Sequence, residues 1–112
     1  MGSLSRNKGK RGELEAAELL RRHGFTARRG RQFQGGDGSP DVVHDIPGVH
    51  VEVKRAENLS LYGALAQAIA DAGEGRMPLI LHRRNSKPWV AVMLADDLLG
   101  ILGRTHASPK GK

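Results

Sequence analysis

Pro40-Asp41-Val42-Val43-His44-Asp45-Ile46-Pro47-Gly48-Val49-His50-Val51-Glu52-Val53-Lys54 is the stretch from which the architecture can be read. Two apolar runs, Asp41 to Ile46 and Val49 to Lys54, flank Pro47-Gly48. Proline presets the first corner of a turn and glycine supplies the positive φ of the second, so the spacing predicts a β-hairpin. Along the second strand the period of two sends Val49, Val51 and Val53 to one face and His50, Glu52 and Lys54 to the other. Asp41 joins the acidic and basic pair if the strands close in register across the turn. Two carboxylates beside a lysine suit a hard divalent cation held next to a phosphate. The plain alternative is an exposed hairpin carrying a Glu–Lys pair.

Upstream, Lys10 to His23 has the rhythm of an amphipathic helix that stops at Gly24. Leu14, Ala17 and Leu20, widened by Ala16 and Leu19, form its apolar stripe, and Glu15, Glu18 and Arg22 face the other way. Glu18 and Arg22 are an i, i+4 pair in the favourable orientation. Glu13 lies at the edge of the inward face, where a carboxylate needs a partner. A metal is one candidate; simple favour from the helix dipole is the other. Phe25 to Arg29 reads as a short strand, followed by a loop, Gly30 to Ser39, rich in glycine.

Downstream, Leu61 to Ala72 reads as a second helix with Tyr62, Leu65, Ala66 and Ile69 as its stripe. Met77 to Arg83 and Trp89 to Leu94 read as strands covered on both faces. Asp96 to Leu102 reads as a short last helix with Asp96 as its candidate cap. The order is helix, three strands, helix, two strands, helix. It predicts an α/β fold with a central mixed β-sheet flanked by α-helices.

The chain has 112 residues, enough for one modest core, and no cysteine, which excludes disulfides and thiolate metal sites. No apolar run approaches the ~18 residues that span a bilayer, and the N-terminal residues lack a signal-peptide core. The expectation is a cytoplasmic protein without a membrane partner. The net charge is +6, and all 12 acidic residues lie between 13 and 103. Arg6, Lys8, Lys10 and Arg11 at one end, and Arg104, Lys110 and Lys112 at the other, therefore carry charge that no neighbouring acid offsets. The expected organisation is a basic flexible arm over 1–9, one domain over 10–103 and a basic tail over 104–112. Cationic ends suit a polyanionic partner or simply aid solubility.

The hairpin motif, Pro40-Asp41 followed by Glu52-Val53-Lys54, resembles the PD-(D/E)xK nuclease signature. The opening, Ser5-Arg6-Asn7-Lys8-Gly9-Lys10-Arg11-Gly12-Glu13, resembles that of archaeal-type Holliday junction resolvases and their phage relatives. Gln67 resembles the glutamine that many nucleases of the superfamily carry on the next helix. These landmarks follow in the family's order over roughly residues 5 to 102. The resemblance implies a restriction-endonuclease-like fold and a homodimer acting on branched DNA with Mg²⁺, for which Mn²⁺ can substitute. It further implies a cytoplasmic setting in a bacterial or archaeal host cell, with phage encoding left open. Glu13, Asp41 and Glu52 would hold the metal with the backbone carbonyl of Val53. Lys54 would orient water or stabilise charge on the phosphate, and Gln67 would hold a water or another side chain.

Arg6, Lys8, Lys10, Arg11, Arg28, Arg29, Arg31, Ser39, Arg55, Arg83 and Arg84 are the candidate DNA contacts, the arginines of the body forming a cationic floor. His50 is read as structural or solvent-facing rather than as a ligand. His82 is read as helping to hold a phosphate or as plainly solvated. With few aromatic residues, recognition through backbone and shape is expected over base stacking. Two alternatives stay open: a nuclease or nickase acting on flaps, single strands or duplex, and a non-catalytic DNA-binding module.

Overall fold

The structure is a computed structural model describing residues 2–30 and 42–107, with backbone alone for 2–8. Its elements are α1 (Gly2–Arg22), β1 (Ala27–Arg29), β2 (Val42–His44), β3 (Val49–Arg55), α2 (Leu61–Ala72), β4 (Met77–Arg83), β5 (Val90–Met93) and α3 (Ala95–Ala107). The fold is α/β. β3 runs parallel to β4, and β4 antiparallel to β5, giving a mixed three-stranded sheet in the order β3-β4-β5. β1 and β2 pair antiparallel in a separate ribbon.

The hairpin expectation needs correcting. Pro47 and Gly48 do turn, with Gly48 at φ 71. Among the described residues, however, no ladder joins β2 to β3. β2 takes β1 as its partner, and a half-open cleft of about 270 Å³ lies between the diverging strands, lined by Val42, His44, Ile46, Val49 and His50. The carbonyl of Gly48 instead accepts the N–H of Met77 at 2.7 Å, tying the turn to the start of β4.

Helix α1 covers one face of the sheet. Ala16, Ala17 and Leu20 pack with Val42, Val51 and Leu81 in one core cluster. Leu14, expected in that stripe, is exposed, because the small residues Gly12 and Ala16 take the contact side and let the helix approach β3 closely. The helix ends as its sequence demands. Gly24 has φ 93, its N–H reaches the carbonyl of Arg21, and that of Phe25 reaches Leu20, a Schellman closure. Its start differs: α1 begins at Gly2, roughly two turns before Lys10, so the expected flexible arm is helical. Once a helix is nucleated, each added residue gains a hydrogen bond, and nothing in Ser3 to Arg11 blocks propagation as a proline would.

Helix α2 covers the other face. Its buried positions are Ala64, Ala68 and Ala72, spaced by four residues, and Ala64 and Ala68 pack with Ile80. The helix is rotated from the predicted stripe: Tyr62 is 79% exposed, and Ile69 is exposed as well. Alanine faces the sheet because polar side chains of β3 already occupy space beneath the helix. β5 is a partly exposed edge strand rather than one covered on both faces. α3 extends past Leu102 to Ala107, so the first residues of the expected tail are helical too. Asp96 and Asp97 lie in its first turn, near the positive end of the helix dipole, while the Leu94 carbonyl accepts the first helical N–H, from Leu98. Among the described residues, no helix is long and apolar enough to cross a membrane.

Candidate functional site

Register fixes what β3 presents. Glu52 pairs with Ile80, and Ile80 with Val92, so Glu52 shares the α2 face of the sheet with residues of the second core cluster. His50 and Lys54 lie on that same face, one alternation before and after it. His50 and Glu52 are buried, 7% and 8% exposed, and Lys54 is half-buried.

A buried carboxylate must be satisfied. Glu52 Oε1 lies 2.7 Å from His50 Nε2 and accepts the ring N–H. The solvent-facing alternative for His50 is therefore excluded. Asp71, on the last turn of α2, brings a carboxylate oxygen so near that one ligand atom each from His50, Glu52 and Asp71 lie within 4.8 Å of one another. Gln67 Nε2 donates to Asp71 Oδ1 at 3.1 Å. Its place is thus beside an acid rather than at an isolated catalytic position. Sequence reasoning misses Asp71, because nothing in the sequence shows α2 crossing β3 at His50.

Glu13 has the partner that its position demanded: Arg29 Nε donates to its Oε1 at 2.8 Å. Glu15, expected to face solvent, instead binds both Arg55 at 3.1 Å and Arg83 at 3.3 Å, joining α1 to β3 and β4. Arg84 lies 3.9 Å from Glu57 in an exposed pair. The expected cationic floor is accordingly broken up. Arg29, Arg55, Arg83 and Arg84 each face an acid, and Arg28 is exposed. His82 does not point to an open phosphate site: its Nε2 donates to the carbonyl of Ala56 at 2.9 Å.

Lys10 and Arg11 are exposed on α1. Arg6 and Lys8 belong to its first turns, where only the backbone is described. Arg31, Ser39 and Asp41 lie outside the described residues. Asp41 immediately precedes Val42, which is buried in the same cluster as Val51 of β3.

At the turn, His44 Nδ1 accepts the N–H of Ile46 at 3.0 Å. Burial pushes the pKa of His44 below its ordinary value, helped by His50 and Arg76 and opposed by Asp45 and a backbone hydrogen bond to Val49. The neutral ring is therefore the form that the fold favours.

The acids present fit a hard dication through their oxygen donors, and Glu52, buried on the central face of β3, is the best placed of those described. No protein-family model matches the chain, and no curated protein matches it.

Proposed function

We propose that the protein is a metal-dependent endodeoxyribonuclease of restriction-endonuclease-like fold that resolves four-way DNA junctions. The observation that carries this reading is the α2 face of β3. There buried Glu52 and half-buried Lys54 stand side by side, while on the opposite face Val51 packs with Val42, the residue that follows Asp41. A module that only bound phosphate would gain nothing from acids gathered beside its ligand.

Glu13, Asp41 and Glu52 would hold Mg²⁺ or Mn²⁺, with the carbonyl of Val53. When bound, the ion supplies Lewis acidity to the phosphodiester and a nucleophile near neutral pH. Lys54 orients the attacking water or offsets charge that develops on the scissile phosphate. His50 fixes the Glu52 carboxylate by donating to it, and Arg29 does the same for Glu13. Lys10, Arg11 and Arg28 are the exposed cations through which the DNA backbone is held.

The test is incubation of the protein and Mg²⁺ with a labelled four-way junction, beside linear duplex, flap and single-stranded controls. Preferential paired cuts in the junction are expected. Cutting of the controls at equal rates would replace the resolvase with a general nuclease or nickase, and binding without cutting would leave a DNA-binding module.

A further inference from the structure

Three metal-ligating side chains of mixed type meet where α2 crosses β3. His50 and Glu52 come from alternate positions of the strand, and Asp71 comes from the helix, with their ligand atoms within 4.8 Å of one another. We propose that His50, Glu52 and Asp71 form a site for a first-row transition-metal dication of the Zn²⁺ or Co²⁺ class, which clamps α2 onto β3. This proposal does not depend on the nuclease reading. It uses Glu52 but neither Glu13, Asp41 nor Lys54.

The donor set selects the ion. One imidazole nitrogen with two carboxylate oxygens is a set that zinc and its neighbours accept, whereas Mg²⁺ favours oxygen donors and retains several waters. The spacing is close to what coordination requires. His50 Nε2 and Glu52 Oε1 are 2.7 Å apart. Widening this by roughly 0.6–0.9 Å makes it the edge of a tetrahedron with bonds of ~2.0–2.2 Å.

Charge and access favour the ion as well. The buried carboxylate of Glu52 and the exposed carboxylate of Asp71 repel one another where they meet, and a dication reverses the sign of that interaction. Asp71 is exposed, and His50 lines the half-open cleft between β2 and β3, so an ion can enter without unfolding the core. The hydrogen bond from Gln67 orients Asp71 from outside the group, as the outer partner of a metal-binding carboxylate does. Arg76, which also lines the cleft, donates to the backbone carbonyls of Ala72 and Asp71, so its guanidinium is held by the end of α2.

The full chain is titrated with Co²⁺ in excess Mg²⁺ and followed by visible absorption, with Zn²⁺ displacement measured by calorimetry. Saturable Co²⁺ binding that Zn²⁺ displaces is expected. Asp71→Asn and His50→Gln should each weaken it at least ~10-fold, the lower end for disturbed metal sites, and Asp41→Ala should leave it unchanged. Asp71 is at the surface, so its variant keeps the fold. Should the buried His50→Gln fail to fold by circular dichroism, the contrast between Asp71→Asn and Asp41→Ala decides alone. Absence of saturable Co²⁺ binding over Mg²⁺, or wild-type affinity in Asp71→Asn, overturns the proposal. So does loss of binding in Asp41→Ala, which would assign the ion to the hydrolytic site. Junction cleavage in Mg²⁺ alone reports on the nuclease reading separately.

Discussion

His44 couples the Pro47-Gly48 turn to pH. Its Nδ1 holds the Ile46 N–H, and only the unprotonated nitrogen can accept that bond. Its folded pKa is lowered below 6.5, chiefly by burial, so the unfolded chain binds the proton more readily. The resulting penalty is absent well above the unfolded value, appears as pH falls through it, and stops growing below the folded value. Stability should therefore fall on mild acidification. His44→Asn, which keeps an acceptor near the Nδ1 position but cannot titrate, should lose less Tm than the wild type between neutral and mildly acidic pH. Equal losses would remove His44 from the balance. At the proposed hydrolytic centre, Asp41→Ala and Glu52→Gln should abolish junction cleavage in Mg²⁺ while gel-shift binding survives. Glutamine is chosen at position 52 because it keeps an acceptor for His50, whose N–H would otherwise be buried without one, at a cost of about 1–3 kcal/mol. Near-normal cutting by either variant would dismiss the site.

At the scale of elements, α1 meets β3 through Gly12. A Cβ built there would lie 2.5 Å from Cβ and 3.0 Å from Cγ of Arg55. Glycine to alanine inside a helix ordinarily gains roughly 0.5–1 kcal/mol. Here the clash is with the root of a side chain that also binds Glu15 and Asn85. Gly12→Ala should accordingly destabilise by about 1–3 kcal/mol in urea unfolding, and a stabilised variant would refute the close approach. The first turns of α1 carry Arg6 and Lys8, and removing residues 1–9 should lower the log–log salt slope of DNA binding by roughly 0.9 for every phosphate that these cations neutralise. An unchanged slope would make that end a solubilising extension. Local signals make much of this legible. Gly24 places the end of α1, and the apolar run from Met77 to Arg83 places β4. Pairing is less legible: Pro47-Gly48 specifies a turn, but whether the flanking strands form a ladder depends on β1 competing for β2. The rotated face of α2 is hidden for a related reason. Tyr62 and Ile69 are more hydrophobic than Ala64 and Ala68, yet only small side chains fit above a strand that buries His50 and Glu52. Asp71 becomes visible as part of a cluster only once that crossing is known.

At the scale of the whole molecule, five of the ten exposed large apolar side chains among the described residues lie on one run of chain. Val90, Leu94, Leu98, Leu99 and Leu102 are all exposed, Leu99 at 61%, on the edge strand β5 and on α3. Trp89 is half-buried against the α1-side core, and Ile101 is half-buried as well. An edge strand with unpaired backbone groups beside exposed leucines is a surface that soluble proteins ordinarily cover. On the proposed reading a second copy would cover it with closed symmetry, and such a pair would supply the two active sites that two cuts in a four-way junction require. Leu99→Glu places a charge in the middle of the leucine face without touching either core cluster. At micromolar concentration, sedimentation should show a dimer for the wild type and a monomer for this variant, with thermal stability per chain little changed. End-labelled mapping should give symmetric cuts in opposing strands for the wild type and unpaired nicks, or none, for the monomer. A wild type that sediments as a monomer yet still makes symmetric paired cuts would separate junction resolution from this surface. A monomer that makes only unpaired nicks would turn the reading from resolvase to nickase.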